Sequence, residues 1–120
     1  MAKLIKTPSV IKAAGNKEKI IKEYIGNVNS ATSEVSIALM KSPEGWEEPG
    51  QTPDFNEYTF VLRGTVRVKT RTDEYNVAEG EAIVTFKGEW VQYSTPYKAG
   101  AEYIAICVPA FFSQTVKRDK

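Results

Sequence analysis

Histidine is absent from all 120 residues, and cysteine occurs once, as Cys107. The first absence removes imidazole, the side chain that titrates nearest neutral pH. With it go the Ser-His-Asp and Cys-His nucleophile systems and the commonest nitrogen ligand of transition metals. A lone cysteine forms no internal disulfide and builds no thiolate metal site by itself. Cys107 stands among apolar neighbours in "IAICVP", so it reads as a small buried core residue and not as a reactive thiol. Charge excess is also lacking: 16 basic against 15 acidic residues leave +1, too weak a field to draw in nucleic acid or an anionic membrane surface. No stretch approaches the roughly 18 apolar residues of a membrane span, and "MAKLIKTPSV" has no apolar run of the secretory kind. The glycines at 64, 80 and 88 stand singly and form no phosphate-cradling loop. These absences predict a cytoplasmic protein that engages neither nucleic acid nor membrane.

What is present is the composition of a folded protein, 42% hydrophobic and 26% charged, in a length that suits one domain spanning 1–120. From Ser33 onward short apolar-rich runs recur every 8 to 12 residues between turn residues, the signature of an all-β sandwich or barrel. The runs are "EVSIALM" (34–40), "EYTFVL" (57–62), "TVRVKT" (65–70), "EYNV" (74–77), "EAIVTF" (81–86), "WVQYST" (90–95) and "EYIAICV" (102–108). "RTDE", "EGE" at 79–81 and "YKAGAE" supply hairpin turns between them. The barrel core is therefore placed at about 34–108, with an N-terminal arm over 1–33 and a C-terminal tail over 109–120. Thr7-Pro8 opens a short helix running to Ala14, since threonine caps and proline suits the first helical position. "NKEKIIKEYIGN" fits either element and is read as a strand. The polar "SQTVKRDK" is read as a solvated tail with one helical turn.

The order of two half-motifs carries a resemblance. "EYTFVLRG", with Glu57 followed after six residues by Gly64, resembles the second half of the first cupin motif. "GEAIVTFKGEW", with Gly80, then Phe86, Lys87 and Gly88, is similar to the start of the second. The resemblance covers roughly 34–108 and implies a cupin-type double-stranded β-helix, a jelly-roll barrel, here with short terminal helical segments. It also implies a homodimer. In that family two histidines and a glutamate of the first motif and a histidine of the second converge on a metal. By position the first pair falls on Gly50 and Thr52, or on Gln51 and Pro53. The later histidine falls on Val91, and the family's final asparagine falls on Thr95. Of the ligands only Glu57 is retained, and one carboxylate does not hold a transition metal tightly. No metal and no other cofactor is therefore expected.

Strand alternation says what lines the lumen instead. If Glu57 faces inward as in the family, Thr59 and Val61 share its face, and the parity at Val91 brings Glu89 and Tyr93 inward. Trp46, in the loop entering this region, closes the mouth. Trp46, Gln51, Glu57, Thr59, Glu89, Val91 and Tyr93 are thus the candidate ligand-binding residues of an apolar pocket with a few polar groups. The bland alternative is a barrel that fills itself, with Glu57 paired to Arg63, Arg67 or a backbone amide. Glu47, Glu48 and Asp54 around Glu57 would suit an oxygen-only cation site, though loop acids are more often simply solvated. The expected function is binding of a small molecule without catalysis. The alternatives are a metal-independent isomerase, epimerase or lyase acting on a sugar or small polar metabolite with Glu57 as general acid or base, and a dimerisation scaffold.

Overall fold

Residues that alternate apolar and polar favour extended chain wherever one face can pack on a core, and this rule governs the molecule from end to end. The computed structural model describes Met1–Lys120 and contains nine strands and no helix. They are β1 (Ser9–Ile11), β2 (Ile20–Ile25), β3 (Ser36–Ser42), β4 (Trp46–Glu47), β5 (Asn56–Lys69), β6 (Glu74–Ala78), β7 (Ala82–Thr85), β8 (Gln92–Thr95) and β9 (Ala101–Val108). No helix is long and apolar enough to cross a membrane, a statement that does not bear on strands.

The strands form a curled antiparallel sheet in the order β1-β2-β3-β9-β5-β8-β4, with β6 and β7 also paired to β5. β5 is the hinge of the barrel. Its first half, through Gly64, pairs with β9 and β7, and its second half, from Thr65, pairs with β6 and β8. The two apolar runs that the sequence separates at Gly64 are therefore one strand. It is bent by a register shift between Val61 and Arg63 and by Gly64 itself, whose φ of 74° suits glycine. A methyl group at Gly64 would run into the Gly100 carbonyl. Of the expected hairpins, "RTDE" closes β5 onto β6. The other two turns instead carry the chain from β6 to β7 and from β8 to β9, pairs that are not hydrogen-bonded neighbours.

Both ends depart from the sequence expectation of terminal helices. Thr7 to Ala14 is not helical: Ser9–Ile11 pairs with Ile21–Glu23 as an edge strand, because ladder bonds and the burial of Ile11 outweigh a local cap. Ile20–Ile25 is a strand, as read from the sequence. The tail forms one hydrogen-bonded turn, in which the Thr115 N–H meets the Phe112 carbonyl at 3.0 Å, and no helix. Thr115, Lys117 and Asp119 exchange backbone bonds of 2.7–3.0 Å with Asp54, Thr52 and Gly50, and Val116 is buried against Phe55 and Cys107.

Alternation decides the two faces. On β5, Thr59 and Val61 are buried, while Tyr58 and Phe60 are 43% and 44% exposed. The main core gathers Trp46, Val61, Val66, Val68, Val91 and Tyr93. On the outside, Tyr58 and Phe60 lie in register with Ile106 and Ile104 of β9, and Tyr58 with Val84 of β7. Leu39 of β3 lies opposite Ile104.

Candidate functional site

The lumen of the curled sheet holds a cavity of about 60 Å³, counted as space open to the centre of a water molecule. A single water needs only roughly 10–15 Å³ by that measure, so the space suits a molecule of a few heavy atoms. Its wall is apolar where β2, β3 and β9 present Ile21, Ala38, Met40 and Ala105. Its polar groups come from distant parts of the chain: Lys19 before β2, Glu48 after β4, Gln51, Glu57 on β5, Tyr93 on β8, Tyr103 on β9, and Arg118 near the C-terminus.

The charges face one another without touching. The ion pairs of the protein lie elsewhere, at Arg63–Glu102, Arg67–Glu74, Lys69–Glu74 and Lys117–Asp54. None of Lys19, Arg118, Glu48 and Glu57 stands within the 4.0 Å that defines a pair. Lys19 is held instead over the Trp46 ring, its Nζ 4.0 Å from the centroid, with the Tyr103 ring at 5.2 Å. Tyr103 is fixed by a 2.9 Å bond between its hydroxyl and Ser42, and Tyr93 by one of 2.8 Å to Thr85.

This arrangement controls protonation. Burial pushes the Glu57 carboxyl up, Glu48 adds to the rise, Lys19 and the Tyr93 hydroxyl pull the other way, and the result is a pKa of about 7. Burial likewise raises Glu48 against the pull of Lys19 and Arg118. Burial works against the charge of Lys19, but Tyr103, Glu48 and Glu57 outweigh it and hold the ammonium above its ordinary 10.5. Tyr93 and Cys107 are both raised well above their ordinary values, first by burial and then by Glu57. Cys107, buried and protonated, is the inert core thiol that its neighbours suggest.

Of the residues singled out in the sequence, Gln51, Glu57 and Tyr93 meet at the cavity. Thr59 is buried on the same face of β5 but lies beyond the cavity wall, and its hydroxyl has no partner. Val91 is buried core; its backbone and that of Gln51 exchange two 2.9 Å bonds, which aligns Gln51 beside β8. Trp46 is no mouth residue. It belongs to β4, is fully buried, donates its indole N–H to the Ala14 carbonyl at 3.1 Å, and acts on the cavity by holding Lys19. Glu89 does not face inward. It is exposed in the turn after Phe86, where the β8 alternation has not begun. Glu47 and Asp54 are also exposed, the latter bound to Lys117 at 2.8 Å, so they do not join Glu48 and Glu57 in a cation site. Arg63 and Arg67 pair on the outside and leave Glu57 to Lys19. Sequence reasoning missed Lys19, Tyr103 and Arg118. Strand parity on β9 would have found Tyr103, but no periodic signal marks the other two.

The metal of the resembled family does not fit this donor set. No three acidic or thiol side chains cluster to hold an ion, and an ammonium held within the same cavity repels a second cation.

Comparison with known proteins agrees with the architecture. No family model matches the chain. A 93-residue stretch is 32% identical to endoribonuclease YbeY of Myxococcus xanthus, covering 78% of this chain and 32% of that protein. The chain thus spans about a third of the length of the curated relative it matches. Among solved structures, the Clostridium difficile EutQ protein superposes with a TM-score of 0.64 at 23% identity, over 77% of this chain and 63% of that one. The cupin domain of Schizosaccharomyces pombe Cnp3 superposes with a TM-score of 0.67 at 9% identity, over 81% and 69%. A curled antiparallel barrel with an internal cavity defines the class. The chain has the cupin fold, as its two half-motifs imply.

Proposed function

We propose that the protein is a cytoplasmic, homodimeric small-molecule-binding cupin whose lumen uses protein charges, without a metal, to hold its ligand. One observation carries this reading: of the three basic and three acidic side chains that line the cavity, Lys12 is exposed and Glu23 is satisfied by the Val28 and Asn29 N–H groups, while Lys19, Arg118, Glu48 and Glu57 converge on it with no direct ion pair among them. A self-filled barrel would close such charges onto each other, because charge taken from water without a partner is costly. A small polar ligand that bridges them supplies the missing contacts. Native mass spectrometry of the untagged protein is expected to show a dimer with a retained small mass, and Lys19→Met is expected to shed that mass. A stoichiometric divalent metal in the wild-type spectrum would overturn the reading.

The catalytic alternative rests on a different observation, the Glu57 carboxyl poised at about 7, where a general acid or base works best. Turnover of a sugar or small polar metabolite that is abolished in Glu57→Gln, with affinity retained, would favour an isomerase, epimerase or lyase over a binding module.

The homodimer is supported by the outer face of β3, β9, β5 and β7, where Tyr58, Phe60, Val84, Leu39, Ile104 and Ile106 form a contiguous apolar surface across four strands. Continuous apolar area of this kind marks contact surfaces. Phe60→Glu is expected to halve the mass seen by sedimentation while leaving the melting of the barrel cooperative. An unchanged mass would exclude this face.

A further inference from the structure

The same charges say what kind of molecule the cavity takes, an inference that rests on the binding function proposed above. Lys19 and Arg118 bring two permanent positive charges to one lumen, Arg118 from the tail bridged to Gln51 and Lys19 from the Trp46 ring. The guanidinium Nε of Arg118 is buried and has no acceptor, and the amide oxygen of Gln51, a residue only 3% exposed, is buried and has no donor. Opposite stand Glu48 and Glu57. A cationic ligand would share the lumen with the Lys19 ammonium and be repelled by it. A dianion such as phosphate would meet two carboxylates. A monoanion satisfies the lysine and the arginine, provided that one carboxyl turns from repelling acceptor to donor by taking a proton. Glu57 is the group placed to do so, because burial and Glu48 already favour its neutral form.

We infer that the ligand is a small monocarboxylate with a hydrogen-bond donor on its short body, bound with its carboxylate among Lys19, Arg118 and a protonated Glu57 and with its hydroxyl or similar donor free to reach Gln51. Glycolate and L-lactate are the simplest such molecules. The apolar wall of Ile21, Ala38, Met40 and Ala105 accepts the carbon side of the molecule. Binding therefore takes up a proton. The titratable groups that line the cavity with Glu57 are Lys12, Lys19, Glu23, Glu48, Tyr93, Tyr103, Cys107 and Arg118.

Isothermal titration of the untagged protein with glycolate and L-lactate, at pH 7 in two buffers of different ionisation enthalpy, tests the inference. The expected result is binding with net proton uptake of about half a proton, and affinity that falls up to roughly tenfold per pH unit above 7. Glu57→Gln, whose amide donates at every pH, is expected to abolish the proton uptake and the pH dependence, so that above pH 7 it binds more tightly than the wild type. Lys19→Met, verified as folded by its melting curve, is expected to lose binding at least tenfold. Glycerol and ethanolamine serve as neutral and cationic probes. Tighter binding of either, carboxylate binding without proton uptake, or no binding of either carboxylate overturns the assignment. A retained neutral or cationic mass in the native spectrum would sink the carboxylate and leave the binding function standing. Loss of the binding function itself would instead appear as an absence of any retained mass together with no response to all four probes.

Discussion

At pH 8, Glu57→Gln is expected to make the protein more stable by about 3 kcal/mol. The Glu57 carboxyl has a pKa of about 7 in the folded protein against an ordinary 4.5, and each pKa unit is worth about 1.4 kcal/mol. The sign follows from proton counts. Below pH 4.5 the carboxyl is protonated in both folded and unfolded chains and contributes nothing. Between 4.5 and 7 the folded protein keeps a proton that the unfolded chain has released, so stability falls as pH rises. Above 7 both states are ionised and the full cost of a charge beside Glu48 in a desolvated lumen remains. Glutamine carries no charge and escapes this cost. Urea denaturation from pH 4.5 to 8 is expected to show a decline in the wild type that is largely flattened in the variant. Some slope will persist, because Glu48 is raised by burial in the same sense. Equal slopes in the two proteins would mean that Glu57 is ordinary and that the lumen is wet enough to solvate it. Ligand binding that requires a neutral Glu57 would then have no physical basis.

The barrel was legible in the sequence because its information is local. Alternation along "EYTFVL" states which side chains share a face: Thr59 and Val61 are buried, Glu57 lines the cavity, and Tyr58 and Phe60 are exposed on the other side of β5. Parity carried from Val91 to Tyr93 succeeded inside the strand and failed at Glu89, where the turn after Phe86 breaks the period. Trp46 reads as a loop residue because two-residue β4 lies in a stretch rich in proline and glycine; its burial comes from pairing with Thr95, 49 positions away. The cavity's cations were invisible for the same reason. Lys19 sits in a segment whose apolar spacing suits a helix as well as a strand, and Arg118 in a polar tail that composition alone describes as solvated. Only the ladder from β1 through β3, and the backbone bonds that lay Thr115–Asp119 along Gly50–Asp54, bring them to Glu57. Charged side chains have no periodicity to betray them, so a binding site built from chain ends is legible only after the fold is closed.

Lys19→Met is expected to destabilise the protein by roughly 3 kcal/mol at pH 8, the low end of the cost of removing one partner from a buried charge pair. The low end applies because the lysine touches neither carboxylate within 4.0 Å. Its ammonium acts on Glu48 and Glu57 through space and rests on the faces of Trp46 and Tyr103. Methionine retains much of the apolar stem, so what is lost is the charge. The loss is therefore expected to depend on pH in a way that packing defects do not. Near pH 5, where Glu57 holds a proton and needs no counterion, the deficit should shrink towards that of the cation–π contacts, about 1 kcal/mol. The double variant Lys19→Met/Glu57→Gln should recover stability at pH 8 relative to Lys19→Met alone, with a coupling of at least about 1 kcal/mol between sites that act on one another. A deficit equal at pH 5 and pH 8, with additive effects in the double variant, would reduce Lys19 to a packing residue on Trp46. Coupling of the expected size would establish the lysine as the internal cation that this histidine-free barrel sets against its buried glutamates.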